Sequence, residues 1–442
     1  MFTAVATMPP DLWQLWRARC YLESDVDLLL ADPVRSIVIS TYSGCGITTS
    51  LAMLHAAKLL VFPYNPDQWP GQPQAFTGDE SHFGQWMAHF ADAVIEQLGA
   101  RPEQLSHLSA YQHQFLLWLL GRYLGRRQKI VWQSQLESLL PSQAWEALAA
   151  IIANEPIDYG DSVADLKYQI HECVAVARCL GWEGIFASID VGWWDWFDRT
   201  PESRARLEAQ VRTLLTTLAP LEVPHFGVKL GMAVRILPPQ EVDRLTRSRI
   251  KPMIYPATYR WSLDQLQQIC RHMLMLAGEE LGLALAVPPP ELWQLLESDI
   301  NSIWTRPCPA TAHALASVWL NLAEQRLVGD SLIHELRSGL YRHAAPLRRD
   351  PRPGSQVVYR GQSALHLDDM PFRVFNMLWQ HRGNPASNDA LLSVAGTKAN
   401  LDKLISRLRE QIEPLYRSGT MIYLQRRQSS GTWLDADMAV FS

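Results

Sequence analysis

The apolar run Ser36-Ile37-Val38-Ile39 passes through the stretch STYSGCGITTS (residues 40–50) into Leu51, Leu54 and Ala57, which recur at helical spacing. A buried strand that turns through glycines into a helix commits the chain to an α/β arrangement, because the strand needs neighbours and the helix must cover the sheet. Residues 34–39 are read as the strand and 48–58 as the helix; the run LLVFPY (59–64), closed by Asn65-Pro66, reads as a second strand. Helical stretches rich in Trp and Leu follow to about residue 153. Leu166, Ile170, Val174, Ala177 and Leu180 then mark one helix face that Gly181 stops, and residues 185–189 form a short strand ending at Asp190. A further strand is expected over 226–234, and residues 262–344 carry a helical pattern broken by prolines. At 442 residues the chain is long enough for about three domains. The boundaries read as an α/β domain over 1–258, a helical lid over 259–344, a linker over 345–355 (APLRRDPRPGS), and a last domain over 356–442.

The turn at 41–48 has most of the parts of a phosphate-binding P-loop, G-x-x-x-x-G-K-[ST] between a strand and a helix. In such a loop backbone N–H groups approach the phosphates, the lysine meets their outer oxygens, and the Ser/Thr holds magnesium. Gly44 and Gly46 can form the anion nest, Thr48 stands in the magnesium-ligand position, and Thr49 follows it. Thr41 replaces the first glycine and Ile47 replaces the lysine. An aliphatic side chain brings no charge to a γ-phosphate. The plainer alternative is a tight strand-to-helix connection, with Asp190 an ordinary helix cap.

Asp190, at the end of its strand, is the acidic residue a P-loop protein uses to hold the magnesium hydration shell. Taken together, SGCGITTS and GWEGIFASIDVG resemble the Walker A and Walker B regions of the STAND/AAA+ class of P-loop ATPases. That resemblance implies a parallel-sheet P-loop domain with a helical lid, nucleotide contacts at Gly44, Gly46, Ile47, Thr48, Thr49 and Asp190, and a metal at Thr48 and Asp190 if nucleotide binds. It also implies an acidic residue after the aspartate, where this chain has Val191, and a lid arginine, for which Arg306 is the nearest candidate. The strand at 226–234 and Tyr259-Arg260-Trp261-Ser262 are similar to the sensor strand and lid entry of that class.

In the last domain, residues 357–359 and 363–367 read as a hairpin around Arg360-Gly361-Gln362, and residues 369–381 as a helix burying Phe372, Phe375, Leu378 and Trp379. A second helix, 389–395, is expected to be capped by Asn388; in a third, Leu401, Leu404, Ile405, Leu408 and Ile412 form one stripe. Strands at 420–425 and 432–434 flank a basic loop. The segments LDKLISRLREQIEP and MIYLQRRQSSGTWL resemble the OmpR-type winged helix of response regulators. By that resemblance Lys398, Lys403 and Arg407 would face DNA, with Arg426 and Arg427 on the wing. Winged helices also serve as protein-docking modules, and that alternative stays open.

Charge supports the asymmetry: residues 345–442 carry 13 Lys+Arg against 9 Asp+Glu, while residues 1–344 carry 27 against 36. No apolar run reaches the roughly 18 residues of a membrane span, and the N-terminus lacks a leader pattern, so the expectation is a soluble cytoplasmic chain. The cysteines, Cys20, Cys45, Cys173, Cys179, Cys270 and Cys308, are scattered and read as reduced packing residues. Trp193-Trp194-Asp195-Trp196-Phe197 follows the Asp190 strand and reads mainly as packing under a lid, with base stacking or a partner's peptide as the alternative. The function expected from these features is a non-hydrolysing regulatory or adaptor protein of the STAND/AAA+ class. It would bind a partner protein and, through its winged helix, DNA, with no resident cofactor or with ATP and magnesium. Such modules are, by the same resemblance, common in bacterial conflict and defence systems. The competing expectations are an active ATPase that remodels DNA or protein, and a plain transcription regulator.

Overall fold

The computed structural model describes residues 18–434 apart from 20, 43, 55–57, 65, 67–68, 70–80, 124–125, 140–141, 143–144, 147–148, 151–162, 192–199, 219–220, 222, 235, 248–253, 283–284, 305, 323–328, 351–353, 362, 382–383 and 428–430. The aromatic cluster 193–197 and the tip of the C-terminal basic loop lie outside the described residues.

Strands β1 (Ser36–Thr41), β2 (Leu60–Pro63), β3 (Ile185–Val191), β4 (Phe226–Ala233) and β5 (Ile254–Ala257) form one sheet in the order β2-β3-β4-β1-β5. Every pairing in it is parallel. Parallel strands need helical crossovers, which cover both faces, so β1 and β4 are buried along their whole length. This α/β sheet is consistent with a P-loop-like domain. Side chains alternate across it. Ile37, Ile39, Val61 and Phe186 enter one core, while Val38, Leu60, Phe62, Ile185, Ala187 and Ile189 enter the other.

The second of these cores is closed by helices α3 (His82–Ala100), α4 (Ala110–Tyr123), α6 (Val163–Cys179) and α7 (Pro201–Leu218), with α5 (Arg126–Leu139) beside α4. The expected face Leu166, Ile170, Val174, Ala177 and Leu180 is the buried one. His82, 3% exposed, contacts the Tyr64 hydroxyl through Nδ1 at 2.7 Å, and burial lowers its pKa to about 4. The unfolded chain, at about 6.5, takes up this proton first. Stability is therefore complete above pH 6.5 and falls as the pH drops toward 4. The expected loss from this group is about 3 kcal/mol, and urea melts of wild type and His82→Gln between pH 7 and 4 should converge as the pH falls.

The first core is covered by α1 (Asp25–Leu30), α2 (Ile47–Met53) and the lid, which comprises α9 (Leu263–Leu281), α10 (Pro290–Leu295), α11 (Glu297–Trp304), α12 (Pro309–Leu322) and α13 (Gly329–Ala344). The short helix α8 (Pro239–Thr246) lies between β4 and β5. Helix α2 begins at Ile47 and ends at Met53, shorter than the 48–58 expected from periodicity. At the amino end of β1, opposite to the glycine turn, Lys229 Nζ donates to the carbonyls of Asp32 and Arg35 at 2.7 and 2.8 Å and lies 4.1 Å from the Phe186 ring centroid. This clasp ties the entry to β1 onto β4.

Within 345–355, the segment expected as a linker, part of the chain forms a strand. Leu347–Arg349 is a strand, β6, paired antiparallel with β7 (Val357–Arg360), which in turn pairs with β8 (Ser363–His366). Alternation of Leu347 inward and Arg349 outward hides a strand under Pro and Arg residues that look like loop composition. Helices α14 (Asp369–Gln380), α15 (Asn388–Ala395) and α16 (Lys398–Ile412) follow, then β9 (Leu424–Arg427) antiparallel to β10 (Gly431–Leu434). Ser387, one residue before the expected cap, caps α15 by accepting from the Ala390 N–H at 3.2 Å.

This tail is docked on the lid. Ser363 Oγ donates to the Ser302 carbonyl at 2.7 Å, Tyr423 Oη to the Ala345 carbonyl at 2.6 Å, and Thr420 Oγ1 lies 2.7 Å from His334 Nε2. Gly361, at φ +57°, lies so close to α11 that a Cβ there would come within 2.9 Å of the Ile303 carbonyl. One apolar cluster runs unbroken from Ile39 through Ile303 and Tyr341 to Phe375 and Leu408.

Candidate functional site

The glycine turn stands at the C-terminal end of β1, between β4 and β5. Gly44 and Gly46 adopt φ values of +81° and +101°, which side chains rarely tolerate, so the turn depends on both. Three successive carbonyls are engaged, the last of them also accepting the first helical bond of α2 from the Ser50 N–H at 2.9 Å. The Gly44 carbonyl accepts from the Ala310 N–H at 3.1 Å, the Cys45 carbonyl from Trp261 Nε1 at 3.1 Å, and the Gly46 carbonyl from the Tyr259 hydroxyl at 3.5 Å. In a trans peptide the N–H points opposite to the carbonyl. The N–H groups of Cys45, Gly46 and Ile47 therefore face away from these contacts, as the donors of an anion site at a helix N-terminus would have to.

Ile47 lies along the sheet. A Cβ on Gly231 of β4 would come within 2.1 Å of Ile47 Cγ2, so this side chain is seated where β4 has none. Thr48, exposed, donates from Oγ1 to Asp190 Oδ2 at 2.5 Å, which brings together the two residues expected to hold a cation. Paired hard oxygen donors of this kind suit magnesium. Val191, the next residue on β3, is buried at 2% exposure and offers no base. Arg306 reaches the turn from the lid: its guanidinium donates to Thr41 Oγ1 at 3.2 Å and lies 4.8 Å from the Tyr42 ring centroid. A positive charge is thus present at the loop, but at its entry and not at position 47.

Sequence reasoning missed the pocket beside this turn. Gly46, Thr49 and Ser50 line it together with Tyr21, Leu22 and Asp27 from the N-terminal side and Trp261, Ile269, Pro309 and His313 from the lid. Ser24 and Asp27 form a capping box that fixes the Asp27 carboxylate, with Ser24 N–H donating to Oδ2 at 2.6 Å. Burial lowers the His313 pKa to about 4, so the ring is neutral at pH 7. The lid residues stand more than 200 positions from the others, and no local pattern joins them; only the capping-box spacing at Ser24 was readable.

In the tail, Lys398, Lys403 and Arg407 of α16 are all exposed. Lys403 and Arg407 stand one turn apart on one face, whereas Lys398, at the first helical position, is about half a turn round from Arg407. Arg426 is held down, its guanidinium 2.5 Å from Asp402 of the same helix. Arg427 pairs through its backbone with Gly431, and its side chain lies outside the described residues. No helix among the described residues is long and apolar enough to cross a membrane. No protein-family model and no curated protein sequence matches this chain.

Proposed function

We propose that this protein is a non-hydrolysing regulatory or adaptor protein built on a P-loop-like module of the STAND/AAA+ kind, which engages a partner protein and reaches DNA through residues 356–442. The observation that carries the proposal is the seating of Ile47 against Gly231. The side chain in the phosphate-charge position is committed to sheet packing, while the nest glycines and the Thr48–Asp190 pair remain. A site of this kind can receive an anion without developing charge stabilisation on it. If a nucleotide enters, the loop N–H groups would orient its phosphates, Thr48 and Asp190 would hold its magnesium, and the chain's part would be to couple occupancy to the lid.

The isolated chain is expected to show no magnesium-dependent ATP turnover above a buffer control, measured as phosphate release. Sustained turnover that Asp190→Ala abolishes would reverse the reading. Ile47→Lys should raise ATP affinity if the nest is open, by about tenfold for one charge-assisted contact. One observation favours the active-ATPase alternative: Arg306 already stands at the turn. It predicts that Arg306→Ala removes whatever turnover exists.

For DNA, log K against log salt should fall with a slope of about −0.9 for each phosphate neutralised. Lys403→Ala and Arg407→Ala should each flatten the slope by about one unit. Arg426→Ala should flatten it less, because Asp402 already neutralises that guanidinium. Anisotropy titrations of the full chain at several salt concentrations measure this. Absence of binding to any duplex at low salt would move the domain to protein docking.

A further inference from the structure

We infer that Cys45 and Cys308 form a dithiol that a peroxide oxidises to a disulfide, fastening the glycine turn to the first turn of lid helix α12. Cys45 lies in the turn itself, between the two glycines, and Cys308 just precedes α12; the Cys308 thiol is the hydrogen-bond partner of the Cys45 sulphur. Their approach is fixed by backbone on both sides. The Ala310 N–H donates to the Gly44 carbonyl, and a Cβ on Gly44 would lie 3.1 Å from Cys308 Sγ. The Cys308 N–H donates to Thr311 Oγ1 at 3.2 Å, which holds Cys308 at the start of its helix.

The chemistry of the pair is asymmetric. The hydrogen bond from Cys308, the Thr41 hydroxyl and the Arg306 guanidinium all favour the thiolate on Cys45 and hold its pKa below the ordinary thiol value, whereas burial keeps Cys308 protonated. Cys45 is the attacking sulphur. Both side chains are buried, at 2% and 0% exposure, but Gly46 and Pro309, the neighbours of the two cysteines, line the pocket beside the turn. Hydrogen peroxide, little larger than water, can enter there. The Cys45 thiolate attacks one peroxide oxygen, the O–O bond breaks, and hydroxide leaves to take a proton, giving a sulfenic acid on Cys45. The Cys308 sulphur then gives up its proton and attacks Cys45, the S–O bond breaks, and a second water leaves. Two thiols and one peroxide become one disulfide and two waters. The other described cysteines lack this setting: Cys173 lies against Met87, Cys179 against Gln112, and Cys270 is buried in the lid.

The inference does not depend on nucleotide or DNA binding, and the full chain tests it. The protein is treated with hydrogen peroxide, quenched with catalase, blocked with iodoacetamide in denaturant, and digested without reduction for mass spectrometry. The expected result is a linked Cys45–Cys308 peptide in most molecules, which dithiothreitol removes. In Cys308→Ser the linked peptide is absent and dimedone traps a sulfenic acid at Cys45; in Cys45→Ser, Cys308 remains fully alkylated. Limited proteolysis within residues 44–54 should be several-fold slower in the oxidised wild type than after reduction. Complete alkylation of both cysteines in peroxide-treated wild type overturns the inference, as do linked peptides joining other cysteine pairs in equal amount. Equal proteolysis of oxidised and reduced protein overturns the fastening.

Discussion

Glu413→Ala should destabilise the protein by about 3–5 kcal/mol, one of the largest effects expected of a single substitution away from the turn. Glu413 ends α16 with 4% exposure, and its carboxylate accepts three backbone N–H groups: Ile422 at 2.7 Å, Tyr423 at 2.8 Å and Leu424 at 2.6 Å. These are the residues that enter β9, whose one strand partner among the described residues is β10. Removing the carboxylate leaves three buried donors without an acceptor, at about 1–3 kcal/mol each before local relaxation and entry of water. Burial pushes the carboxyl pKa up while the three N–H groups pull it down, and the net direction is upward. Its ionised form is therefore held against a desolvation cost that the N–H groups only partly offset. Glu413→Gln keeps the shape and two acceptor sites on one oxygen, so it should lose less. Urea melts that place Glu413→Ala and wild type at the same midpoint would show that the strand entry does not rely on this side chain.

A chain cut to begin at residue 356 should fail to fold cooperatively, whereas one beginning at 329 should retain the tail's secondary structure. The shorter chain loses β6, leaving β7 paired on one side only, and it loses the Ala345 carbonyl that receives the buried Tyr423 hydroxyl. It also strips Tyr341, Ala345 and Leu347, all under 4% exposed, from the core. Three buried apolar residues and an orphaned hydroxyl come to roughly 5 kcal/mol, which approaches the whole stability of a small domain. Circular dichroism melts of the two fragments decide it. A sigmoidal transition in the 356–442 fragment equal to that of the longer one would mean that the lid contacts are incidental.

The sequence was legible where a period or a cap could be read locally. Strands β1 and β3, the helix ending at Cys179, and the stripe Leu401, Leu404, Ile405, Leu408 and Ile412 lie close to where their spacing put them. The residues of the turn were legible as well, because two glycines spaced between a strand and a helix permit a left-handed turn, and both have positive φ. Strand β6 inside the segment 345–355 went unread because composition outvoted a three-residue alternation too short to register. The Asn388 cap was misplaced by one residue because Ser387 and Asn388 are both good caps, and only the bond to Ala390 tells them apart. The pocket and the Cys45–Cys308 approach were invisible for another reason. They join segments that meet only after the lid folds back over the turn, a distance no local pattern encodes.

The alternation of β1 between two cores has a consequence for how the molecule opens under native conditions. Val38 belongs to the core of α3, α4, α6 and α7, while Ile37 and Ile39 belong to the core shared by lid and tail. Loss of either half strips one face of β1 but leaves its hydrogen bonds to β4 intact. Amide hydrogen exchange should therefore divide the chain into two foldons separated by the sheet, each opening at its own free energy, with the amides between β1 and β4 exchanging last because both must open before water reaches them.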